Sequence, residues 1–126
     1  MMKQIQRLAL ITLAVLSLGA SAGWQRLGRL DVGAPQDHDA LTVSRRVGAL
    51  RELMLQARGD DVDIRELVVS FDDGTSFKPQ DPIKVREGSK GEVVNFGGKR
   101  GRVRTIGFTY APTHGKEKVQ LTVSGR

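Results

Sequence analysis

Four basic side chains crowd one short stretch of the sequence and are the first candidates for chemistry. They are Lys99, Arg100, Arg102 and Arg104. No acidic residue lies between Asn95 and Ala111 to neutralise them. Arg102 and Arg104 are two positions apart on a predicted strand, so their side chains project from one face. The glycines of the preceding loop allow a phosphate or sulfate to approach the backbone. The cluster predicts an anion-binding site; the alternative is a solvated, charged edge that discourages strand-to-strand aggregation.

The second candidate is a tight acid–histidine cluster, Asp37-His38-Asp39. A metal ion could use His38 with one flanking carboxylate, and a small hydrolase could place an acid or histidine site here. Against both, adjacent residues of a strand point to opposite faces, and the other histidine, His114, is distant in sequence. An aspartate-rich turn before the next strand explains Asp37 and Asp39 equally well.

Further aspartates gather near the ends of predicted strands. They are Asp60, Asp61, Asp63, Asp72 and Asp73. Calcium could bind such loop carboxylates together with backbone carbonyls, but the D-x-[DN]-x-[DN]-G loop is absent. Solvated turns are the alternative interpretation, and no metal site or cofactor is predicted.

The sequence carries no signature of nucleophilic or redox catalysis. It has no cysteine, which excludes a thiol nucleophile, a thiolate metal site and a disulfide framework. It also lacks the G-x-S-x-G elbow of serine hydrolases. We therefore predict that the protein is not an enzyme.

The N-terminus predicts export. Lys3 and Arg7 precede an apolar run from Leu8 to Leu18, and Ala20 and Ala22 then form the A-x-A pattern of a signal-peptidase site. A membrane-spanning helix needs ~20 apolar residues, whereas this run has 11. The pattern indicates a secretory signal peptide over Met1 to Ala22, cleaved before Gly23, a mature domain over 23–126 and a periplasmic or secreted location.

The predicted mature chain fits one small β domain. It has 104 residues, with 18 lysines and arginines against 14 acids, so its net charge is +4. This charge favours anionic partners without reaching the values typical of nucleic-acid-binding domains. Fourteen glycines and all four prolines punctuate short apolar segments, a pattern typical of all-β proteins.

The glycines and prolines separate segments that we predict to be seven to nine short strands. The first strand runs from Trp24 to Leu30, and a polar loop from Asp31 to Asp39 follows it. The clearest core strand runs from Val62 to Phe71; its apolar positions change parity near Arg65-Glu66, where a β-bulge would keep both halves pointing inward. Each strand has one apolar face, which favours a single antiparallel β-sandwich, with a closed barrel as the alternative.

One stretch, residues 49–58, is ambiguous. Its residues are good helix formers, and Gly59 could end a helix there. Leu53, Leu55 and Ala57 also alternate as in a strand, and periodicity alone does not decide so short a run. We favour a strand because the following segments are strand-like.

From Trp24 to Gly125 the chain resembles a family of small exported bacterial proteins classed only as a domain of unknown function. The matching features are Gly23-Trp24 with Leu27-Gly28, Asp37-His38-Asp39, Val62-Asp63-Ile64 leading to Val69 and Asp73-Gly74, Gly98-Lys99-Arg100, and Ile106 with Phe108-Thr109-Tyr110. The resemblance implies an all-β secreted domain and supports a strand over residues 50–58. It implies no activity and no site residues.

These observations predict an exported, non-catalytic binding or accessory module of the bacterial envelope. Its basic cluster would contact an anionic envelope polymer, a lipid headgroup or an envelope protein. No specific nucleic acid and no transmembrane segment in the mature form are expected. Two alternatives stay open: a structural module that pairs with another envelope protein through an edge strand, and a small hydrolase with a site near Asp37 to Asp39.

Overall fold

The computed structural model describes residues 23–126. The predicted signal peptide, Met1 to Ala22, lies outside the described residues. The strands are β1 (Gln25–Val32), β2 (Asp37–Thr42), β3 (Ala49–Leu50), β4 (Glu52–Arg58), β5 (Val62–Phe71), β6 (Ser76–Phe77), β7 (Ile83–Val85), β8 (Glu92–Asn95), β9 (Gly101–Pro112) and β10 (Val119–Gly125). One 3-10 helix (Arg45–Val47) lies between β2 and β3. Residues 23–126 contain no helix long and apolar enough to cross a membrane.

The strands form two antiparallel sheets rather than one closed barrel, which confirms the predicted sandwich. The first sheet has the order β1-β10-β4-β8. The second has the order β2-β9-β5-β6, with β3 added to β9 and β7 added to β5. Eight strands have three or more residues, and two have only two. The ambiguous stretch is extended, as predicted, but divides into β3 and β4, which belong to different sheets.

Two predicted boundaries near the N-terminus need correction. The polar loop expected from Asp31 to Asp39 covers only residues 33–36. β1 continues through Val32 because Asp31 and Val32 pair with Gln120 and Val119 of β10. β2 begins at Asp37, opposite Tyr110 of β9, and Asp39 on the same strand accepts a hydrogen bond from the Tyr110 hydroxyl.

The predicted bulge in β5 is confirmed. In the pairing of β5 with β9, the register shifts between Ile64 and Glu66, so Arg65 is the extra residue. Val62 and Ile64 before it and Leu67 after it are all buried. The bulge thus keeps both halves of β5 in the core, where each buried aliphatic side chain contributes about 1.5–3 kcal/mol. This core takes the place of disulfides in the cysteine-free domain.

The β9 strand organises the rest of the second sheet. It begins beside β3 at one end of the sandwich, where Gly101 pairs with Leu50. It finishes at the opposite end, where Pro112 pairs with Val62. We call the first the basic end, comprising residues 43–51, 72–75 and 96–104. We call the second the cleft end, comprising residues 31–39, 58–63, 86–89 and 111–118.

Candidate functional site

An interruption of the edge strand brings two more arginines to the predicted basic cluster. β2 pairs with β9 as far as Thr42 opposite Thr105, and β3 resumes the pairing with Ala49 opposite Arg102. Residues 44–48 leave the sheet between these points as the 3-10 helix. The helix carries Arg45 and Arg46, and Arg45 lines one cleft with Arg102 and Arg104 of β9.

Local capping explains why the chain makes this excursion. The Ser44 hydroxyl oxygen accepts a hydrogen bond from the Arg46 backbone N–H at 3.2 Å, and the Val47 N–H donates to the Ser44 carbonyl at 3.1 Å. Gly48 follows with φ of +79°, a conformation that suits glycine. The chain then re-enters the sheet, so the two arginines stand on a fixed turn.

Arg102 ties the excursion to β9. Its Nη2 donates to the Arg45 carbonyl at 2.6 Å, and its Nε lies 3.5 Å from Oδ2 of Asp72. A cleft of about 140 Å³ lies between the excursion and β9, lined in part by Ser44, Arg45, Arg102 and Arg104. Its volume suits a phosphate-sized group with bound water.

The expectation that Arg102 and Arg104 project together is confirmed. Both are exposed, while Val103 between them is buried. Arg104 is also the extra residue of a second register shift, because Ser70 pairs with Thr105 and Phe71 pairs with Val103. Its carbonyl accepts the Val43 N–H at 2.9 Å, so the backbone is fixed while the guanidinium faces solvent.

Lys99 is engaged within the fold. Its Nζ donates to Asp73 Oδ2 at 2.9 Å and to Thr75 Oγ1 at 2.8 Å, and lies 4.7 Å from the centre of the Phe71 ring. Hydrogen bonds from Thr75 and then from Lys99 hold the pKa of the Asp73 carboxyl well below its usual range. Lys99 therefore braces the β5–β6 turn.

The basic end carries a strong excess of positive charge. Its segments hold seven cations and two acids. The cations are Arg45, Arg46, Arg51, Lys99, Arg100, Arg102 and Arg104. Both acids, Asp72 and Asp73, already contact Arg102 and Lys99. Among residues 23–126, no carboxylate pairs with the side chains of Arg45, Arg46, Arg100 or Arg104.

The Asp37-His38-Asp39 cluster is divided between two faces of β2. His38 is exposed, and its Nδ1 lies 2.9 Å from Thr109 Oγ1. Asp39 points inward, and its Oδ2 accepts a hydrogen bond from the hydroxyl group of buried Tyr110 at 2.8 Å. Burial, followed by this hydrogen bond to a carboxylate, raises the pKa of Tyr110. Asp37 accepts the N–H of Gly33 at 2.9 Å. The two aspartates thus stabilise the strand and its turn.

Asp60 is the one buried acid within residues 23–126, with only 1% of its surface exposed. Its carboxylate accepts the N–H of His114 at 2.8 Å and that of Lys116 at 3.3 Å, and it lies 2.8 Å from His114 Nδ1. Burial alone would raise the pKa of Asp60, but hydrogen bonds from His114, Lys116 and Asp61 outweigh it and lower the pKa to about 2. Asp60 therefore fastens the β9–β10 loop.

The part of the chain that the structure describes contains no group of three or more histidine, aspartate and glutamate side chains that could hold a metal ion. The aspartates singled out for calcium serve other contacts. Asp61 accepts the Glu87 N–H at 2.8 Å, Asp63 lies 3.3 Å from Lys84, and Asp73 accepts the Thr75 N–H at 2.9 Å.

Sequence reasoning missed Arg45 and Arg46. The signal available in the sequence was local: two consecutive arginines between a capping serine and Gly48. Their proximity to β9 depends on a pairing across more than fifty residues, which periodicity does not reveal.

A family model described as Domain of unknown function (DUF2541) matches residues 7–125. This match confirms the family resemblance drawn from the sequence. Neither a curated protein nor a solved structure matches the chain.

Proposed function

The chain belongs to the DUF2541 family, and we propose that it is an exported, non-catalytic binding module of the bacterial envelope. The proposed site is the exposed part of the basic end, where Arg45, Arg46, Arg100 and Arg104 contact phosphate or sulfate groups of an envelope polymer or lipid headgroup. The observation that carries the proposal is the excursion of residues 44–48, which adds unpaired cations to those of β9.

The charge balance supports binding over simple solvation. A solubilising surface intersperses both signs of charge, whereas the basic end has seven cations against two acids that are already engaged. Such an excess raises the local concentration of anions and their rate of association. Guanidinium groups also bind phosphate oxygens in a bidentate manner.

The cations of the basic end divide into two groups in this proposal. Lys99 stabilises the β5–β6 turn, and Arg102 holds the excursion through the Arg45 carbonyl. Arg45, Arg46, Arg100 and Arg104 keep their guanidinium groups for the ligand. Lys99 is thus the residue of the predicted cluster that contributes least to ligand binding.

Export rests on the N-terminal sequence. Lys3 and Arg7, the apolar run after them and the Ala20-x-Ala22 pattern form the basis of this part of the proposal. The protein recovered after secretion in a bacterial host is expected to begin at Gly23 by N-terminal sequencing. Recovery with Met1 retained would contradict cleavage.

The binding proposal is tested with polyphosphate and with vesicles of phosphatidylglycerol. We expect binding that weakens at least tenfold between about 0.05 and 0.3 M salt, because counterions are released. A variant with Arg45, Arg46, Arg100 and Arg104 changed to Gln loses this binding. The matched control changes Arg29, Arg65, Arg86 and Lys90 to Gln, which removes the same charge away from the basic end. Equal loss in both variants, or no binding by the wild type, would contradict the proposal.

A second candidate function is pairing with another envelope protein through β8. This edge strand pairs with β4, and Val93 on it is 53% exposed, the one large hydrophobic side chain so exposed within residues 23–126. An unpaired edge can accept a strand from a partner. A complex that survives 1 M salt and is lost in Val93→Lys would favour this candidate over anion binding.

A further inference from the structure

An open cleft lies at the cleft end, at the opposite end of the sandwich from the basic arginines. It has a volume of about 890 Å³ and is lined by Asp31, Asp37, Arg58, Glu87 and Lys118, among others. Binding sites for small ligands have volumes of about 300–1,000 Å³. We propose that this cleft is a second binding site, independent of the anion site, for a short peptide with a free amino group and a free carboxylate.

Neutral groups hold the carboxylates of the cleft in place. Glu87 accepts the Gly59 N–H at 3.0 Å, Asp37 accepts the Gly33 N–H at 2.9 Å, and Asp31 accepts the Gln120 amide at 3.3 Å. The acids are therefore oriented without being neutralised. Three oriented carboxylates in one cleft suit an ammonium group, which donates up to three hydrogen bonds.

The cations of the same cleft have no carboxylate of their own. Among residues 23–126, neither Arg58 nor Lys118 forms an ion pair or a side-chain hydrogen bond. Cations and acids that share a cleft without pairing to each other leave both charges for a ligand. A carboxylate would contact Arg58 and Lys118, while an ammonium group would contact the acids.

The backbone of Lys118 adds an observation of a different kind. Lys118 has φ of +60° and is the sole non-glycine residue at positive φ within residues 23–126. Glycine would fit that conformation without strain, yet a long cationic side chain stands there and lines the cleft. Residues held in such conformations concentrate at functional sites. We therefore assign the Lys118 ammonium group to the proposed site, as a partner for the carboxylate of the ligand.

An adjoining groove sets the length of the ligand. This groove of about 390 Å³ shares Arg58 and Glu87 with the cleft and adds the polar side chains of Gln56, Ser89 and Thr122. Amides and hydroxyls of this kind bind peptide groups. A peptide of about three residues, extended over about 10 Å, would place its amino group beside the acids of the cleft and its carboxylate beside Arg58, which lines both the cleft and the groove.

The test uses trialanine as the probe, with N-acetylated and C-amidated trialanine beside it. In titrations of the purified protein followed by NMR, we expect trialanine to bind and each capped form to bind at least tenfold more weakly, because each has lost one charge. Equal binding of the three peptides, or no shift at 10 mM trialanine, would overturn the proposal.

Lys118→Gly separates the ligand role of Lys118 from a structural one. We expect this variant to bind trialanine at least tenfold more weakly while its melting temperature rises, because the backbone is relieved. Lys116→Gln, in the same loop but outside the cleft, is the control and should bind as the wild type does. Unchanged binding by Lys118→Gly would overturn the role of Lys118. Polyphosphate binding tests the basic end and trialanine binding tests the cleft end. Failure of one proposal is therefore distinguishable from failure of the other.

Discussion

The two ends of the sandwich use their charges in opposite ways. At the cleft end, Asp37, Asp60 and Asp61 accept backbone N–H groups and so hold the loops together. At the basic end, the backbone of the excursion is fixed by Ser44 and by strand pairing, and most guanidinium groups extend into solvent. Charges of the cleft end that build the fold should be costly to remove. Those of the basic end should be dispensable for folding and therefore available to a ligand.

The largest loss of stability is expected at Gly59, which lies against the backbone of Lys118 at the cleft end. Gly59 has φ of +96°, and a Cβ added there would lie 2.6 Å from the Lys118 carbonyl oxygen. We expect Gly59→Ala to lower the free energy of unfolding by about 3 kcal/mol, through combined backbone strain and collision. Urea unfolding measures the change. Gly115→Ala is the control, because Gly115 also has positive φ but has open space for a Cβ. If Gly115→Ala lowers the free energy of unfolding as much as Gly59→Ala does, the collision with the Lys118 carbonyl contributes nothing.

The next effect comes from Asp60, whose carboxylate fastens the β9–β10 loop. Asp60→Asn should lower the melting temperature by on the order of 10 °C at pH 7, because an amide cannot accept all the hydrogen bonds from His114, Lys116 and Asp61. Asp81→Asn, at an exposed aspartate, should change it by less than about 2 °C. A similar drop in both variants would contradict the special position of Asp60.

The same carboxylate predicts a pH dependence. The pKa of Asp60 falls from its ordinary value of 3.8 to about 2 in the folded protein. A depressed pKa means that the stabilisation is complete above about pH 4 and is lost as the pH falls through 2. The difference in melting temperature between wild type and Asp60→Asn should therefore be constant from pH 5 to 7 and shrink toward pH 2. A difference that persists at pH 2 would contradict this account.

Lys118 predicts a smaller effect of opposite sign. Lys118→Gly should raise the free energy of unfolding by about 1 kcal/mol, since a side chain at positive φ costs about 1–2 kcal/mol and glycine gives back part of this in chain entropy. The melting temperature should rise by a few degrees. A fall would show that the Lys118 side chain stabilises the loop.

The smallest effects on stability distinguish two residues of the basic end. Lys99→Gln should lower the melting temperature by a few degrees, because the variant loses the contacts of the ammonium group with Asp73, Thr75 and the Phe71 ring. It should weaken polyphosphate binding by less than about twofold. Arg104→Gln should leave the melting temperature unchanged and weaken binding several-fold. The reverse pattern would exchange the roles assigned to the two side chains.

What the sequence could and could not predict follows from the range of the interactions concerned. The bulge at Arg65 was predictable, because the change in parity of apolar residues is local to β5. The division of His38 from Asp39 was predictable from strand alternation alone. The excursion of residues 44–48 was not, because it exists only relative to β9.

The same limit applies to the charges near the predicted cluster. The absence of acids between Asn95 and Ala111 suggested four free cations. Asp72 and Asp73 lie about thirty positions earlier in the chain, in the turn that follows β5. The pairing of β5 with β9 brings them to Arg102 and Lys99. Three of the four predicted residues are therefore exposed arginines in the structure, and Lys99 is engaged within the fold. Arg45 and Arg46 join the candidate site from outside the predicted cluster.

The most direct test of the central claim, that the basic end is the anion site, is a two-dimensional amide NMR titration of the purified protein with pyrophosphate at low salt. We expect chemical-shift changes concentrated in residues 43–48 and 100–105, with the cleft-end amides of residues 58–61 and 112–118 unmoved. Shifts spread evenly over the surface, or concentrated at the cleft end, would contradict it.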